Sequence, residues 1–360
     1  MSPLLGFAIG LGALILGAEW LVRGASHLAI AWRVPPLVVG LTVVAYGTSS
    51  PELAVSVQAA WSGQEEVALG NVIGSNIFNV LFILGLSALI IPLAVNERLI
   101  RLDVPLMIGV SLVVYVMSLD GAISRVDGVL LVVGAIAYTL FLFRAGAEGA
   151  PAEKLLLHKK LSWRDIALYL LLVLAGLGLL VAGSRWLVRA AVDTATALGV
   201  NPIVIGLTIV AAGTSLPEVV TSIVAALRKA RDLAVGNVVG SNLFNLLLIL
   251  GAAAVVAPSG IPVPPSVRTF DLPIMLATAV ACLPIFHTSR HVERWEGGLF
   301  LAYYGLYTGY LVIDALGYSW VSYVEAAVLG FVLPLTAITL LVLFLGHRFR
   351  SQSPPTPPQA

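Results

Sequence analysis

Two hexapeptides carry carboxylates deep inside apolar sequence. Gly47-Thr48-Ser49-Ser50-Pro51-Glu52 and Gly213-Thr214-Ser215-Leu216-Pro217-Glu218 each begin about a dozen residues into a hydrophobic run. If those runs cross a bilayer, Glu52 and Glu218 fall near its centre, where an acidic side chain costs on the order of 2.5 to 3.5 kcal/mol. No Lys or Arg is available at that depth to pair with them. Pro51 and Pro217 bring no N–H, so the carbonyls of Gly47 and Gly213, four residues back, are expected to lose their helical donors. The residue before each proline is also pushed away from helix. A helix broken at membrane depth is tolerated where it lines a cavity. Thr48 and Ser49 precede Glu52 by four and three residues, as Thr214 and Ser215 precede Glu218, so these oxygens share a face wherever the helix persists.

A second motif, Gly-Asn-Val-x-Gly-Ser-Asn-x-Phe-Asn, occurs at 70–79 and 236–245. Asn71, Ser75 and Asn79 form one polar stripe at a spacing of four, matched by Asn237, Ser241 and Asn245. Gly70, Gly74, Gly236 and Gly240 are small residues at the same spacing and permit close helix approach. For Ser75, Asn79, Ser241 and Asn245 cation ligation is the preferred reading. For Asn71 and Asn237, hydrogen bonding between helices serves as well. Carboxylate, amide, hydroxyl and carbonyl oxygens suit Ca²⁺, which takes six to eight oxygens at about 2.3–2.6 Å, and Na⁺ would use the same groups. Without a His or Cys cluster, zinc, copper and iron are poor candidates. Two carboxylates neutralise one Ca²⁺, so the site would admit a divalent ion or monovalent ions but not both at once.

The elements that position these residues follow from composition. Hydrophobic residues make up 59% of the 360, and only 11% are charged, against roughly 25% in soluble domains. That excludes a soluble enzyme, a nucleic-acid binder and a disordered chain, and predicts an all-α polytopic membrane protein. Eleven apolar stretches are long enough to span a bilayer: 3–22, 36–61, 67–91, 104–119, 127–144, 165–187, 202–227, 233–257, 270–288, 296–315 and 319–346. Placing their connections on alternate sides puts Arg125, Arg185, Arg189 and Arg268 on one side and the other sixteen basic residues opposite. By the positive-inside rule the N-terminus is then outside and the C-terminus inside. Asp103 and Asp271, each two residues before a proline, read as helix caps. Glu19, Arg23, Arg185 and Arg189, beside Trp20 and Trp186, read as interfacial anchors.

A shift of 166 residues aligns 36–81 with 202–247 at 25 of 46 positions without a gap. Gly17, Trp20 and Arg23 answer Gly183, Trp186 and Arg189 in the same register. Asp103 and Met107 answer Asp271 and Met275, and Tyr138 answers Tyr307, after small slips. The predicted organisation is a five-helix repeat at 1–148, a cytoplasmic linker at 149–161 and a second five-helix repeat at 162–315. An additional helix at 319–346 and a disordered tail at 347–360 follow. Five is odd, so the halves are inverted, which is the plan of secondary transporters with a midplane site between repeats.

At its two duplicated motifs the chain resembles the cation/calcium exchanger superfamily, and within it the prokaryotic sodium/calcium exchangers. The resemblance covers roughly residues 1–315. It implies ten core helices in two inverted repeats, with the first and sixth helices sliding against the rest. It also implies Glu52 and Glu218 as central Ca²⁺ ligands, aided by the carbonyls of Thr48 and Thr214. Ser49, Ser75 and the carbonyl of Ala45 would form one flanking Na⁺ site, and Ser215, Ser241 and the carbonyl of Ala211 the other. Asn79 and Asn245 would complete the middle. Some relatives carry Asp at the position of Asn245, which bears on any role for K⁺ or a third coupling charge. The expected activity is Na⁺/Ca²⁺ antiport across a prokaryotic cytoplasmic membrane by a monomer, with no catalytic residue, prosthetic group or separate regulatory domain. Ca²⁺/H⁺ exchange through the same glutamates and, less readily, a cation channel are the alternatives.

Overall fold

The computed structural model describes residues 3–32, 34–148, 162–200, 209, 211–318, 326 and 330. The expected linker at 149–161, the tail at 347–360 and, apart from residues 326 and 330, the additional helix at 319–346 lie outside the described residues. The described chain is helical, in the order α1 (Pro3–Trp32), α2 (Pro36–Thr48), α3 (Ser50–Trp61), α4 (Glu65–Ile90), α5 (Leu99–Asp120) and α6 (Arg125–Glu148). The second half follows with α7 (Trp163–Ala197), α8 (Ala211–Thr214), α9 (Leu216–Leu227), α10 (Arg231–Val256), α11 (Val267–Thr288) and α12 (Arg294–Ala315). Seven of these are long and apolar enough to cross a membrane. The broken pair α2–α3, bent by 48°, makes eight.

Two helices outrun the expected spans. α1 continues to Trp32 and α7 to Ala197, because Glu19, Arg23, Arg185 and Arg189 lower hydropathy without breaking a helix. At 1.5 Å per residue the 35-residue α7 is about 52 Å long, more than a bilayer's hydrocarbon thickness. The two helices lie against one another, antiparallel, along a glycine seam. A Cβ placed on Gly17 would sit 2.7 Å from the Gly176 carbonyl oxygen, and one on Gly10 2.9 Å from that of Gly183. Gly10, Gly17 and Gly24 recur every seven residues, as do Tyr169, Gly176 and Gly183 opposite them, so the small residues stay on the shared face. Glu19 is more than an interfacial anchor: its carboxylate takes two contacts from the Arg228 guanidinium at the end of α9, at 2.6 and 2.9 Å.

Four two-residue strands tie the remaining helices across the halves. β1 (Leu93–Ala94) pairs antiparallel with β4 (His291–Val292), Leu93 facing Val292. β2 (Ala122–Ile123) pairs with β3 (Ile261–Pro262), Ile123 facing Ile261. Each pairing joins a loop of one repeat to a loop of the other. α4 and α10 are the most enclosed of the long apolar helices, which places the Gly-Asn-Val motifs in the interior.

Asp103 and Asp271 are not helix caps. Their helices begin four residues earlier with π-helical turns, Leu99–Asp103 and Val267–Asp271, so each aspartate is internal and caps nothing. Asp103 instead accepts a hydrogen bond from the Tyr138 hydroxyl at 2.9 Å, and Asp271 from Tyr307 at 2.8 Å. Arg98 stands 3.6 Å from the fully buried Asp103 carboxylate. Gly236 and Gly240 do permit close approach: a Cβ on Gly240 would be 2.8 Å from Leu41 backbone atoms. The repeat would set residues 203 and 207 opposite Gly70 and Gly74, and these lie outside the described residues.

Candidate cation site

The two breaks are made alike. Ser49 has φ −84° and ψ 9°, Ser215 has φ −89° and ψ 7°, and a proline opens the helix that follows each. Glu52 and Glu218 therefore stand in the first turns of α3 and α9, at helix ends whose exposed N–H groups and dipole favour negative charge. Neither carboxylate is solvent-exposed.

The carbonyls that the prolines deprive of helical donors do not stay unpaired, because other groups supply them. A backbone N–H at the Ser49 cap returns to Gly47. The Gly213 carbonyl accepts from the Ser184 hydroxyl of α7 at 2.5 Å. A buried carbonyl without a donor costs enough that the fold finds one from a neighbouring helix. The Ala45 carbonyl accepts the Ser49 N–H at 3.0 Å and faces the Thr48 hydroxyl at 3.4 Å. Ala211 opens α8, whose last residue is Thr214.

The contacts between site side chains cross from one half to the other. Ser49 Oγ donates to Glu218 Oε1 at 2.7 Å, and Ser215 Oγ to Glu52 Oε1 at 2.8 Å. Ser49 lies 3.1 Å from Ser241, and Ser215 3.3 Å from Ser75. The structure thus groups Ser49 with Ser241 and Glu218, and Ser75 with Ser215 and Glu52. No hydrogen bond joins Ser49 to Ser75 or Ser215 to Ser241; each break faces the polar stripe of the other half of the chain.

Asn71 and Asn237 fasten the breaks. Asn71 Nδ2 donates to Ser56 Oγ at 2.9 Å and to the Glu52 carbonyl at 3.3 Å, while its Oδ1 accepts from Thr214 at 3.4 Å. Asn237 does the same with Ser222 (2.9 Å), the Glu218 carbonyl (3.5 Å) and Thr48 (3.2 Å). These are interhelical ties that use both ends of each amide.

What the network leaves unsatisfied defines the site. Glu52 Oε2, Glu218 Oε2, Asn79 Oδ1 and Asn245 Oδ1 are buried and have no hydrogen-bond partner. Such an atom costs about 1–3 kcal/mol, more when charged. Four acceptors, two from each repeat and two of them on carboxylates, form a donor set for a hard cation. Asn79 and Asn245 each open a π-helical turn, Asn79–Leu84 and Asn245–Ile249, a local widening frequent at functional sites.

One residue was passed over in the sequence. Asn242 accepts the Asn79 amide N–H at 3.0 Å, although it lies outside the four-residue stripe. Its signals were its polarity inside an apolar helix and its recurrence as Asn76 in the first copy of the motif.

The chain matches the family described as "Sodium/calcium exchanger protein" over residues 2–144 and 168–313. It is 30% identical over 339 residues to the sodium/calcium exchanger MaX1 of Methanosarcina acetivorans, covering 82% of this chain and 94% of that one. It is 36% identical over 281 residues to the inner membrane protein YrbG of Escherichia coli, covering 76% and 85%. Among solved structures, the sodium-calcium exchanger NCX_Mj superposes with a TM-score of 0.74 at 30% identity, over 87% of this chain and 98% of that one. Its apolar helices and its exchanger fold make this chain an integral membrane transporter, and it belongs to the sodium/calcium exchanger family.

Proposed function

We propose that the protein exchanges Na⁺ for Ca²⁺ across a prokaryotic cytoplasmic membrane by alternating access, acting as a monomer of ten core spans with its N-terminus outside. The observation that carries this is the set of four unpaired buried oxygens, contributed equally by the two repeats. Glu52 and Glu218 bind Ca²⁺ between them, with Asn79, Asn245 and the carbonyls of Thr48 and Thr214 completing its shell. Na⁺ ions occupy the flanks, one beside Ser49 and Ser241 and one beside Ser215 and Ser75, with the carbonyls of Ala45 and Ala211. Since Asn245 carries no charge, the two glutamates balance one Ca²⁺. A divalent ion and monovalent ions then compete for the same charge, and that competition couples their movements.

The test is Ca²⁺ uptake into proteoliposomes loaded with Na⁺, compared with vesicles bearing a pH gradient and no Na⁺. Uptake should require internal Na⁺ and vanish in Glu52→Gln and Glu218→Gln, with both variants still inserted. Uptake driven by the pH gradient alone would replace Na⁺ with H⁺ as the counter-ion. Full uptake in either glutamine variant would remove the site.

A further inference from the structure

The amide of Asn79 has two ends, and a neighbour outside the site decides which one faces the cation. We infer that Met107 and Asn242 are positioning residues: they hold the Asn79 amide so that its carbonyl oxygen, and not its N–H, is presented to the ion. The inference rests on the cation-site reading given above. Asn242 Nδ2 lies 3.6 Å from Met107 Sδ on α5, and Asn242 Oδ1 accepts from Asn79 Nδ2 at 3.0 Å. A thioether sulfur can accept a hydrogen bond but never donate one. Asn242 must therefore turn its N–H toward Met107, which leaves its oxygen toward Asn79. Asn79 must then give its own N–H to Asn242, so Asn79 Oδ1 is left unpaired. Reversing both amides would set an oxygen against the sulfur and a pair of donors against the cation. Met107, Asn242 and Asn79 are 1%, 3% and 1% exposed, so bulk water cannot take either partner's place.

The other repeat lacks this arrangement. Asn76 occupies the position equivalent to Asn242, in an identical Gly-Ser-Asn sequence, and Met275 is the counterpart of Met107. Asn76 Nδ2 nevertheless turns back to the Val72 carbonyl of its own helix at 2.7 Å. The relay therefore belongs to one side of a symmetric centre, and Asn79 is the amide held by it.

The experiment titrates Ca²⁺ into the full-length purified protein for Asn242→Leu, Met107→Leu and Asn76→Leu, each alone and in an Asn79→Ala background, with Glu52→Gln alongside. One hydrogen bond of ordinary net strength is worth about a two- to tenfold change in Kd. Asn242→Leu and Met107→Leu should each weaken Ca²⁺ binding by about that factor, and Asn76→Leu should leave it unchanged. In the Asn79→Ala background neither should weaken binding further, which a merely structural role would not produce. Equal penalties with and without Asn79 would overturn the relay, as would an Asn76→Leu effect matching that of Asn242→Leu. Met107→Leu nearly conserves volume, so it carries the test if Asn242→Leu does not fold. Wild-type Ca²⁺ binding by Glu52→Gln would strike the site reading itself; loss of binding there with additive penalties elsewhere would strike only the relay.

Discussion

Replacing Gly17 by Ala adds one methyl group to the seam between α1 and α7, and the structure shows what that methyl meets. The new Cβ would lie 2.7 Å from the Gly176 carbonyl oxygen, 2.9 Å from the Leu180 nitrogen and 3.0 Å from the Leu179 Cβ. Two of the three are backbone atoms and the third is rigidly attached to backbone, so no side-chain rotation relieves the clash. The helices must part by roughly 0.5–1 Å, which forfeits a quarter to a half of the dispersion energy of each atom pair along the seam. Overpacking of this kind costs about 1–3 kcal/mol. Midpoints of 150–250-residue domains move about 2–4 °C per kcal/mol, so thermal unfolding in detergent should fall by roughly 2–12 °C. Gly12 and Gly178 lie on the same two helices with nothing near their Cβ positions, so Gly12→Ala and Gly178→Ala should match or exceed the wild-type midpoint, alanine being the better helix former. A Gly17→Ala protein as stable as wild type, or a Gly12→Ala protein as damaged as Gly17→Ala, would refute the seam as the source of the close approach.

Other expectations follow from single contacts. Ser184→Ala should remove the donor to the Gly213 carbonyl and destabilise the fold by about 1–3 kcal/mol, measured by thermal unfolding. Ala18, the repeat counterpart of Ser184, needs no hydroxyl because Gly47 already has a backbone donor. Glu19→Gln breaks an exposed ion pair with Arg228 and should change the unfolding midpoint by less than about 1 kcal/mol equivalent, checked at low and high salt. Asn245→Asp places a third carboxylate where an oxygen is already unpaired, and Ca²⁺ titration should show tighter binding by about tenfold, one charge-assisted contact. Tyr138→Phe should destabilise by about 1–3 kcal/mol, because the fully buried Asp103 then keeps only Arg98 beside it.

The glutamates and the Asn-Ser-Asn stripes were legible in the sequence because deep polar residues in apolar runs have few structural uses, and because each occurs twice at one offset. The helical breaks at Ser49 and Ser215 were legible from the prolines. The partners of the freed carbonyls were not, since Ser184 lies 29 residues before Gly213 and reaches it only in three dimensions. Nor was the crossed pairing of Ser49 with Glu218: spacing along a helix reports which residues share its face, not which helix that face meets. Asp103 illustrates a different limit. An aspartate shortly before a proline is a good cap by local preference, yet the helix began a turn earlier and the side chain found Tyr138 instead. The Met107–Asn242–Asn79 relay was invisible because the two repeats carry the same residues and differ only in where one amide turns.

The crossed contacts at the centre have the form of an isologous interface: Ser49 meets Glu218 as Ser215 meets Glu52, and Thr48 meets Asn237 as Thr214 meets Asn71. That is the contact pattern of a two-fold dimer whose subunits share one chain. β1·β4 and β2·β3 repeat it, each half giving one strand to each pairing. A half on its own would hold one carboxylate without the serine that donates to it from the other half, so the proposed cation site is a property of assembly and not of either fold unit. Residues 1–148 and 162–360 produced as two separate polypeptides should therefore recover the centre together, and neither should hold it alone.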